Sequence, residues 1–307
     1  MNKAWLSYCG LILVAVSWGV NFGVSRLAME SFHPIVFTLL RFGLAVPFFF
    51  ILLKWKEGSI GIPWRLVPKI ALVGLLGVTA LEIIVMYAIK FTTLANASLL
   101  NVAPWPIFAA LLSPLFIKEA ITPKLIIGGA ICLFGVSFVI LGGEEGFSLS
   151  SDLMIGNAMA LSISIIGPLF NLSSMSLMRQ FSALRVSTWT IFFGAIFIVP
   201  FTIGRWGETE WGRLQFEQYG IIFYNVLICT VLAFIVWNAS MYRVGATRSN
   251  FFRYAVPASA VITGYFMFDE SIAMMQIAGA ALMAVGLIWI TIDRKKERVT
   301  PTLSKNV

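Results

Sequence analysis

Residues 85–135 read VMYAIKFTTLANASLLNVAPWPIFAALLSPLFIKEAITPKLIIGGAICLFG, and residues 236–286 read VWNASMYRVGATRSNFFRYAVPASAVITGYFMFDESIAMMQIAGAALMAVG. Set side by side without a gap, Val85, Ala88, Ala95, Ser98, Pro106, Ala109, Glu119, Ile121, Ile126, Gly128, Ala130 and Gly135 meet identical residues. Their counterparts are Val236, Ala239, Ala246, Ser249, Pro257, Ala260, Glu270, Ile272, Ile277, Gly279, Ala281 and Gly286, all at an offset of 151. A 307-residue chain with this offset is two related halves. Both copies lie in strongly apolar sequence, and a duplicated membrane domain with a substrate site between its halves is the plan of many secondary carriers. In the first two spans of each half the match is much less clear, and Gly10 against Gly156 is the one pairing the sequence supports there.

Working outward, the composition requires lipid as solvent. Mean hydropathy is +0.90, and hydrophobic residues make up 59% of the chain against 12% charged. Soluble domains carry roughly a quarter charged residues. The formal net charge of +8 does not indicate nucleic acid, because the basic residues are dispersed over short loops and a tail. Cys9, Cys132 and Cys229 all fall in apolar segments, odd in number and irregular in spacing, so neither a disulfide framework nor a metal site follows. With His33 as the only histidine, a Ser-His-Asp triad or a histidine metal centre in mid-membrane is disfavoured, and no cofactor is expected. Lys3 before an apolar stretch has the look of a signal peptide, but no small-residue cleavage site follows, so the stretch reads as a retained helix.

Apolar runs of about 20 residues predict ten transmembrane helices, near 5–27, 34–53, 67–90, 94–117, 124–142, 153–178, 183–203, 218–242, 246–268 and 273–292. Alternate flanks of these spans hold sixteen basic residues: Lys3, Lys54, Lys56, Arg65, Lys69, Lys118, Lys124, Arg179, Arg185, Arg243, Arg248, Arg294, Lys295, Lys296, Arg298 and Lys305. The opposite flanks hold four, Arg26, Lys90, Arg205 and Arg213, together with acidic Glu144, Glu145, Asp152, Glu208, Glu210, Glu217, Asp269 and Glu270. Both termini are therefore expected in the cytoplasm. Five spans per half is odd, so the halves must insert with opposite topology: Glu119 closes span 4 inside and its counterpart Glu270 closes span 9 outside. The expected fold is an all-α integral membrane protein of two five-helix inverted repeats, 1–142 and 143–292, with a basic cytoplasmic tail at 293–307. Trp5, Trp55, Trp64, Trp206, Trp211 and Trp289 sit near span ends and read as interfacial anchors.

Ser17-Trp18-Gly19-Val20-Asn21-Phe22 in span 1 resembles the SWG-x-N-F opening of EamA-type carriers of the drug/metabolite transporter superfamily, and Leu40-Arg41-Phe42 resembles their L-R-F. Pro106 with Glu119 and Gly128, and Pro257 with Glu270 and Gly279, resemble the P…GE…G pattern that closes each EamA repeat; Lys118 and Asp269 stand where the family often has glycine. The resemblance covers almost the whole chain. It implies a ten-helix inverted-repeat fold with a central cavity that moves metabolites across a bacterial plasma membrane, commonly outward, and it does not imply a substrate.

A charge at mid-membrane costs about 2.5–3.5 kcal/mol on insertion scales and is normally functional or paired. Arg41 and Glu82 lie about 10 and 13 Å below the outer ends of spans 2 and 3 at 1.5 Å per residue, so the two can meet. Arg41 reads either as a structural residue that snorkels or caps carbonyls or as part of a site. Glu82 reads as a group for proton coupling or for a substrate ammonium, or as an inert partner of Arg41. Arg253, near the cytoplasmic end of span 9, reads as a receptor for a substrate carboxylate or as a side chain reaching the interface. Prolines free backbone carbonyls four residues earlier: Pro104 and Pro106 free those of Leu100 and Val102, Pro257 frees that of Arg253, and Pro168 adds a third kink. Broken backbone in a membrane lines cavities or is buried in protein, so spans 4 and 9 are the expected site helices. Around the breaks lie Asn101, Trp105, Tyr254 and Asn238, with Trp18, Asn21, Tyr87 and Asn171. As a cluster these aromatic rings and amides suit an amphipathic organic solute, whereas any one of them alone suits packing or an interhelical hydrogen bond. Gly128 and Gly135, like Gly279 and Gly286, share a helix face, so spans 5 and 10 read as scaffold or homodimer helices.

The expected function is secondary active export of small organic metabolites, amino acids or analogues foremost, with protons as a coupling ion, since no P-loop or ATPase domain is visible. The alternatives are a passive facilitator or channel, nucleotide-sugar exchange, which wants more cavity cations than Arg41 and Arg253, and an intramembrane enzyme, which wants a nucleophile-base pair that the spans lack.

Overall fold

The structure is a computed structural model that describes residues 3–92, 100–116, 122–142, 153–209, 211–268 and 272–292. Ala95, Ser98, Lys118, Glu119, Ile121, Asp269, Glu270, the acidic flank residues Glu144, Glu145, Asp152 and Glu210, and the tail 293–307 lie outside the described residues. Every regular element described is helical. In chain order these are α1 (Lys3–Ser31), α2 (Pro34–Glu57), α3 (Val67–Gly74), α4 (Leu81–Phe91), α5 (Trp105–Phe116), α6 (Pro123–Leu141) and α7 (Met154–Leu177). After them come α8 (Ala183–Thr202), α9 (Phe216–Phe223), α10 (Ala233–Val244), α11 (Ala246–Phe251), α12 (Ala255–Phe268) and α13 (Met274–Ile292).

Among the described residues six helices are long and apolar enough to cross a membrane: Trp5–Ser31, Pro34–Glu57, Trp64–Ala88, Met154–Leu177, Ala183–Thr202 and Phe216–Val244. Shorter apolar helices run over Leu100–Phe116, Pro123–Val139 and Met274–Ile290. α2 shows why lipid is the partner. Phe42, Ala45, Phe49 and Leu53 are fully buried, yet Leu44, Phe48 and Ile51 on the other side are exposed, and a helix apolar on all faces has no stable place at a water surface. Its ends are specified locally. His33 caps the first turn by accepting from the Ile35 N–H at 3.3 Å, Pro34 suits the first helical position, and Gly58 at φ 69° closes the helix by donating to the Lys54 carbonyl.

Two spans expected as plain helices contain π-helical turns. Leu75–Ala80 joins α3 to α4, and Tyr224–Leu232 joins α9 to α10. The two turns coincide at the 151-residue offset, Thr79 falling on Thr230. The expected spans 4 and 9 are also divided. A bend at Ala103–Pro104 precedes α5, and a 3-10 turn over Phe252–Tyr254 separates α11 from α12. One proline expectation needs correction. Pro106 is the second residue of α5, where a missing N–H is harmless, so it starts a helix and does not break one. Pro168 lies inside α7, where its missing N–H leaves out one ladder bond.

The halves interlock. α1 packs on α10 and α12, whereas α7 packs on α4 and α5. α2 and α8 pack on each other, α2 also on the Tyr224–Leu232 turn and α8 on the Leu75–Ala80 turn. α6 and α13 form the most extensive pair. There a Cβ on Gly135 would lie 2.6 Å from the Gly279 carbonyl, and one on Gly286 would lie 2.7 Å from that of Gly128. The order runs oppositely along the two helices, so they are antiparallel. The glycine faces singled out in the sequence are therefore closed on each other inside the chain, and the exposed sides of these helices carry Ile126, Phe134, Val285 and Ile288 instead. Two contacts join a residue to its own counterpart: Tyr254 Oη donates to the Ala103 carbonyl at 2.9 Å, and Cys132 Sγ reaches the Met283 carbonyl at 3.6 Å.

Candidate functional site

The interlocked helices enclose a cavity of about 890 Å³, counting space continuous with the exterior. α1 contributes Trp18, Asn21, Phe22 and Ser25. Gly19 in the same motif lets α1 lie against α12, since a Cβ there would sit 2.6 Å from the Val256 carbonyl. Trp18 is held by the second π turn: its Nε1 donates to the Cys229 carbonyl at 3.2 Å. Tyr224 Oη in turn donates to the Ser17 carbonyl at 3.0 Å. A π turn shifts carbonyls out of the α pattern, and such turns are frequent at functional sites.

Arg41 and Glu82 form an ion pair at 3.1 Å in the cavity wall, their side chains 6% and 13% exposed. Arg41 Nε also donates to Thr230 Oγ1 at 2.9 Å, and Thr230 donates onward to the Asn225 carbonyl at 2.8 Å. Arg41 thus neither snorkels nor caps a helix end; it ties α2, α4 and the second π turn together. Arg253 is differently placed. Its guanidinium carbon lies 3.6 Å from the Trp105 ring centroid and 5.2 Å from that of Trp18, a cation held on aromatic faces. Trp105 is pressed against Gly167 of α7, where any Cβ would collide with the indole. Trp237 packs on Trp18 at 4.9 Å between centroids.

Of the residues singled out in the sequence, Trp18, Asn21, Arg41, Glu82, Asn101, Trp105, Asn171, Asn238 and Arg253 line this one cavity. Tyr87 and Tyr254 do not. Tyr87 stacks on Phe91 at 5.8 Å, and Tyr254 is fully buried with its hydroxyl on the Ala103 carbonyl. Asn238 donates to Ser187 Oγ at 2.7 Å, and Asn171 donates to Asn250 Oδ1 at 2.7 Å. Ser25, Trp237, Phe170 and Phe234 also line the cavity without having been expected from the sequence, and Thr230 and Asn250 stand just behind it. One signal was available for Thr230, its coincidence with Thr79 under the repeat.

Five buried polar atoms of residues in the wall have no hydrogen-bond partner among the described residues: Asn21 Oδ1, Ser25 Oγ, Asn101 Oδ1, Trp237 Nε1 and Arg253 Nε. An unmet buried polar atom costs about 1–3 kcal/mol, so a cavity that gathers five is built for a polar occupant. Two of them only accept and two only donate. Among the described residues no group of three or more His, Cys, Asp or Glu is placed to hold a metal ion.

Helices able by length and composition to span a bilayer, around a largely apolar, aromatic-walled cavity with a few polar groups, are the plan of a membrane transport protein. The chain belongs to the EamA-like transporter family, whose sequence model matches residues 5–141 and 154–292; EamA proteins are multi-pass membrane proteins. It is 26% identical to the uncharacterized transporter YetK of Bacillus subtilis, over 97% of this chain and 90% of the relative. It is 22% identical to a probable terminal-alkyne amino-acid exporter of Streptantibioticus cattleyicolor, over 95% of this chain and 96% of the relative. A solved crystal structure shares the fold at a TM-score of 0.76 with 15% identity, covering 91% of this chain and 94% of that one.

Proposed function

We propose that this protein is a secondary active exporter of amino acids or closely related small zwitterions, working by alternating access in a bacterial inner membrane with both termini in the cytoplasm. The observation that carries this reading is Arg253, a cation held on Trp105 and Trp18 with its Nε unmet, facing a cavity that also offers the unmet acceptors Asn21 Oδ1 and Asn101 Oδ1. A carboxylate pairs with the guanidinium, an ammonium with the amide oxygens or with Glu82, and an apolar side chain with Trp237, Phe170 and Phe234. The name of the Streptantibioticus relative agrees with this substrate class.

Alternating access is supported by the exchange of partners between halves, by the π turns that coincide at the repeat offset, and by the reciprocal glycine seam of α6 and α13. These are the marks of two inverted five-helix repeats, about 1–142 and 143–292, related by a two-fold axis. Loop charge supports the orientation. Glu82, reachable from the cavity, is the proposed proton-coupling group.

The test is counterflow in proteoliposomes preloaded in turn with unlabelled amino acids, polyamines and quaternary amines, with and without a pH gradient. Saturable, trans-stimulated uptake confined to amino acids is expected. Uptake of a cationic panel alone, or flux that neither saturates nor responds to trans substrate, would reject the reading.

A further inference from the structure

Asn250 is fully buried, stands outside the cavity wall and belongs to α11, the short helix just before the turn that carries Arg253. Its Oδ1 accepts from Trp105 Nε1 at 2.8 Å and from Asn171 Nδ2 at 2.7 Å, and its Nδ2 donates to the Ala246 carbonyl at 2.8 Å. An indole N–H only donates and a backbone carbonyl only accepts, so these partners dictate which way the amide points. Trp105 is thus held twice. The Gly167 backbone sets how deep the indole sits against α7, and Asn250 sets its rotation in plane. That same ring is the plate under the Arg253 guanidinium at 3.6 Å.

We propose that Asn250 is the positioning residue of the site: through Trp105 it aims the Arg253 guanidinium at the substrate carboxylate. The proposal rests on the reading of Arg253 as a carboxylate receptor. No simple replacement reproduces the pattern. Leucine leaves the indole N–H and the Asn171 amide without an acceptor. Ionised aspartate sets an oxygen against the Ala246 carbonyl, and only protonated aspartate, donating its proton there, mimics the amide.

The experiment uses the full chain in lipid nanodiscs with 15N-indole-labelled tryptophan, the Trp105 resonance being identified by its loss in Trp105→Phe. The Trp105 N–H is expected to exchange slowly with solvent in the wild type, at least about tenfold faster in Asn250→Leu, and slowly again in Asn250→Asp only at acidic pH. In parallel, binding of each common L-amino acid is compared with that of its amide, which lacks the carboxylate. The acid-over-amide preference should fall about tenfold, equivalent to one factor of ten in Kd, in Asn250→Leu and also in Trp105→Phe, which loses the bond together with part of the aromatic plate under the guanidinium. It should return in Asn250→Asp as pH falls, which a merely structural residue would not produce. An unchanged preference in a folded Asn250→Leu or Trp105→Phe protein overturns the proposal. A wild type without any acid-over-amide preference overturns the carboxylate reading and the proposal with it. The exchange data then distinguish that failure from a Trp105 that Asn250 does not hold.

Discussion

Arg253 rests its charge on tryptophan faces, and among the described residues no ion pair includes it. A planar guanidinium stacks on an indole in a way a lysine ammonium does not, so Arg253→Lys keeps the charge and loses the aim. We expect Arg253→Gln to weaken binding of a carboxylate substrate by about 2–5 kcal/mol, the range for truncating a buried charge partner, with Arg253→Lys in between; titration in nanodiscs measures both. Arg41 and Glu82 behave as a unit. Removing one partner of a buried pair costs about 3–5 kcal/mol because the other is left charged and unmet. Glu82→Ala should therefore lower the melting temperature in detergent more than Glu82→Ala combined with Arg41→Leu. A higher melting temperature for the single variant would mean that the pair contributes nothing to the fold. If Glu82 couples protons, Glu82→Gln abolishes pH-driven flux; undiminished pH-driven flux would contradict that role.

At the level of elements, long apolar runs made the helices legible, and the few charges inside them made Arg41, Glu82 and Arg253 conspicuous. The π turns left no mark in composition. Each takes up one residue more per turn than an α-helix, so a face projected at the α period from Tyr87 or Trp237 is out of register beyond it. Tyr87 was expected at the cavity and lies beside it, while Trp237 lies in the wall unexpected. Asn250 was hidden for another reason: its role depends on α11 meeting α5 and α7, a long-range contact that local sequence does not announce. The helix caps carry a pH dependence. His33, which caps α2, lies with Nε2 3.0 Å from Arg205 Nη1 and 3.6 Å from Glu208 Oε2, and Thr209 Oγ1 accepts from its backbone N–H at 3.4 Å. Burial holds its pKa below the ordinary 6.5; Glu208 opposes this, while Arg205 and Lys90 add to it. The unfolded chain then takes up the proton first, so stability is full above about pH 6.5 and declines as pH falls toward the lower folded pKa. A thermal-melt series from pH 8 to 5 should show this loss in the wild type and a flatter profile in His33→Gln.

Across the whole molecule, stability depends on contacts between halves. The α6–α13 seam admits nothing larger than glycine where Gly135 meets Gly279. Gly135→Leu should cost about 1–3 kcal/mol of overpacking, and Gly279→Leu a similar amount. Because the two residues share one contact, the double variant should cost less than the sum; strict additivity in melting measurements would show that they do not share it. The same frame has a further consequence. Its helices repeat at 151 residues but the charges of the cavity wall do not: Glu82 falls on Ala233 and Arg253 on Val102. If the halves rock between two tilts as proposed, an ideal two-fold scaffold would have no preference of its own, since each tilt would be the other with the halves renamed. Any bias in the resting population would then come from the positions at which the halves differ, and a free-energy gap of about 1.4 kcal/mol between tilts already makes a tenfold imbalance. Direction, in such a machine, is written in the residues that refuse the symmetry.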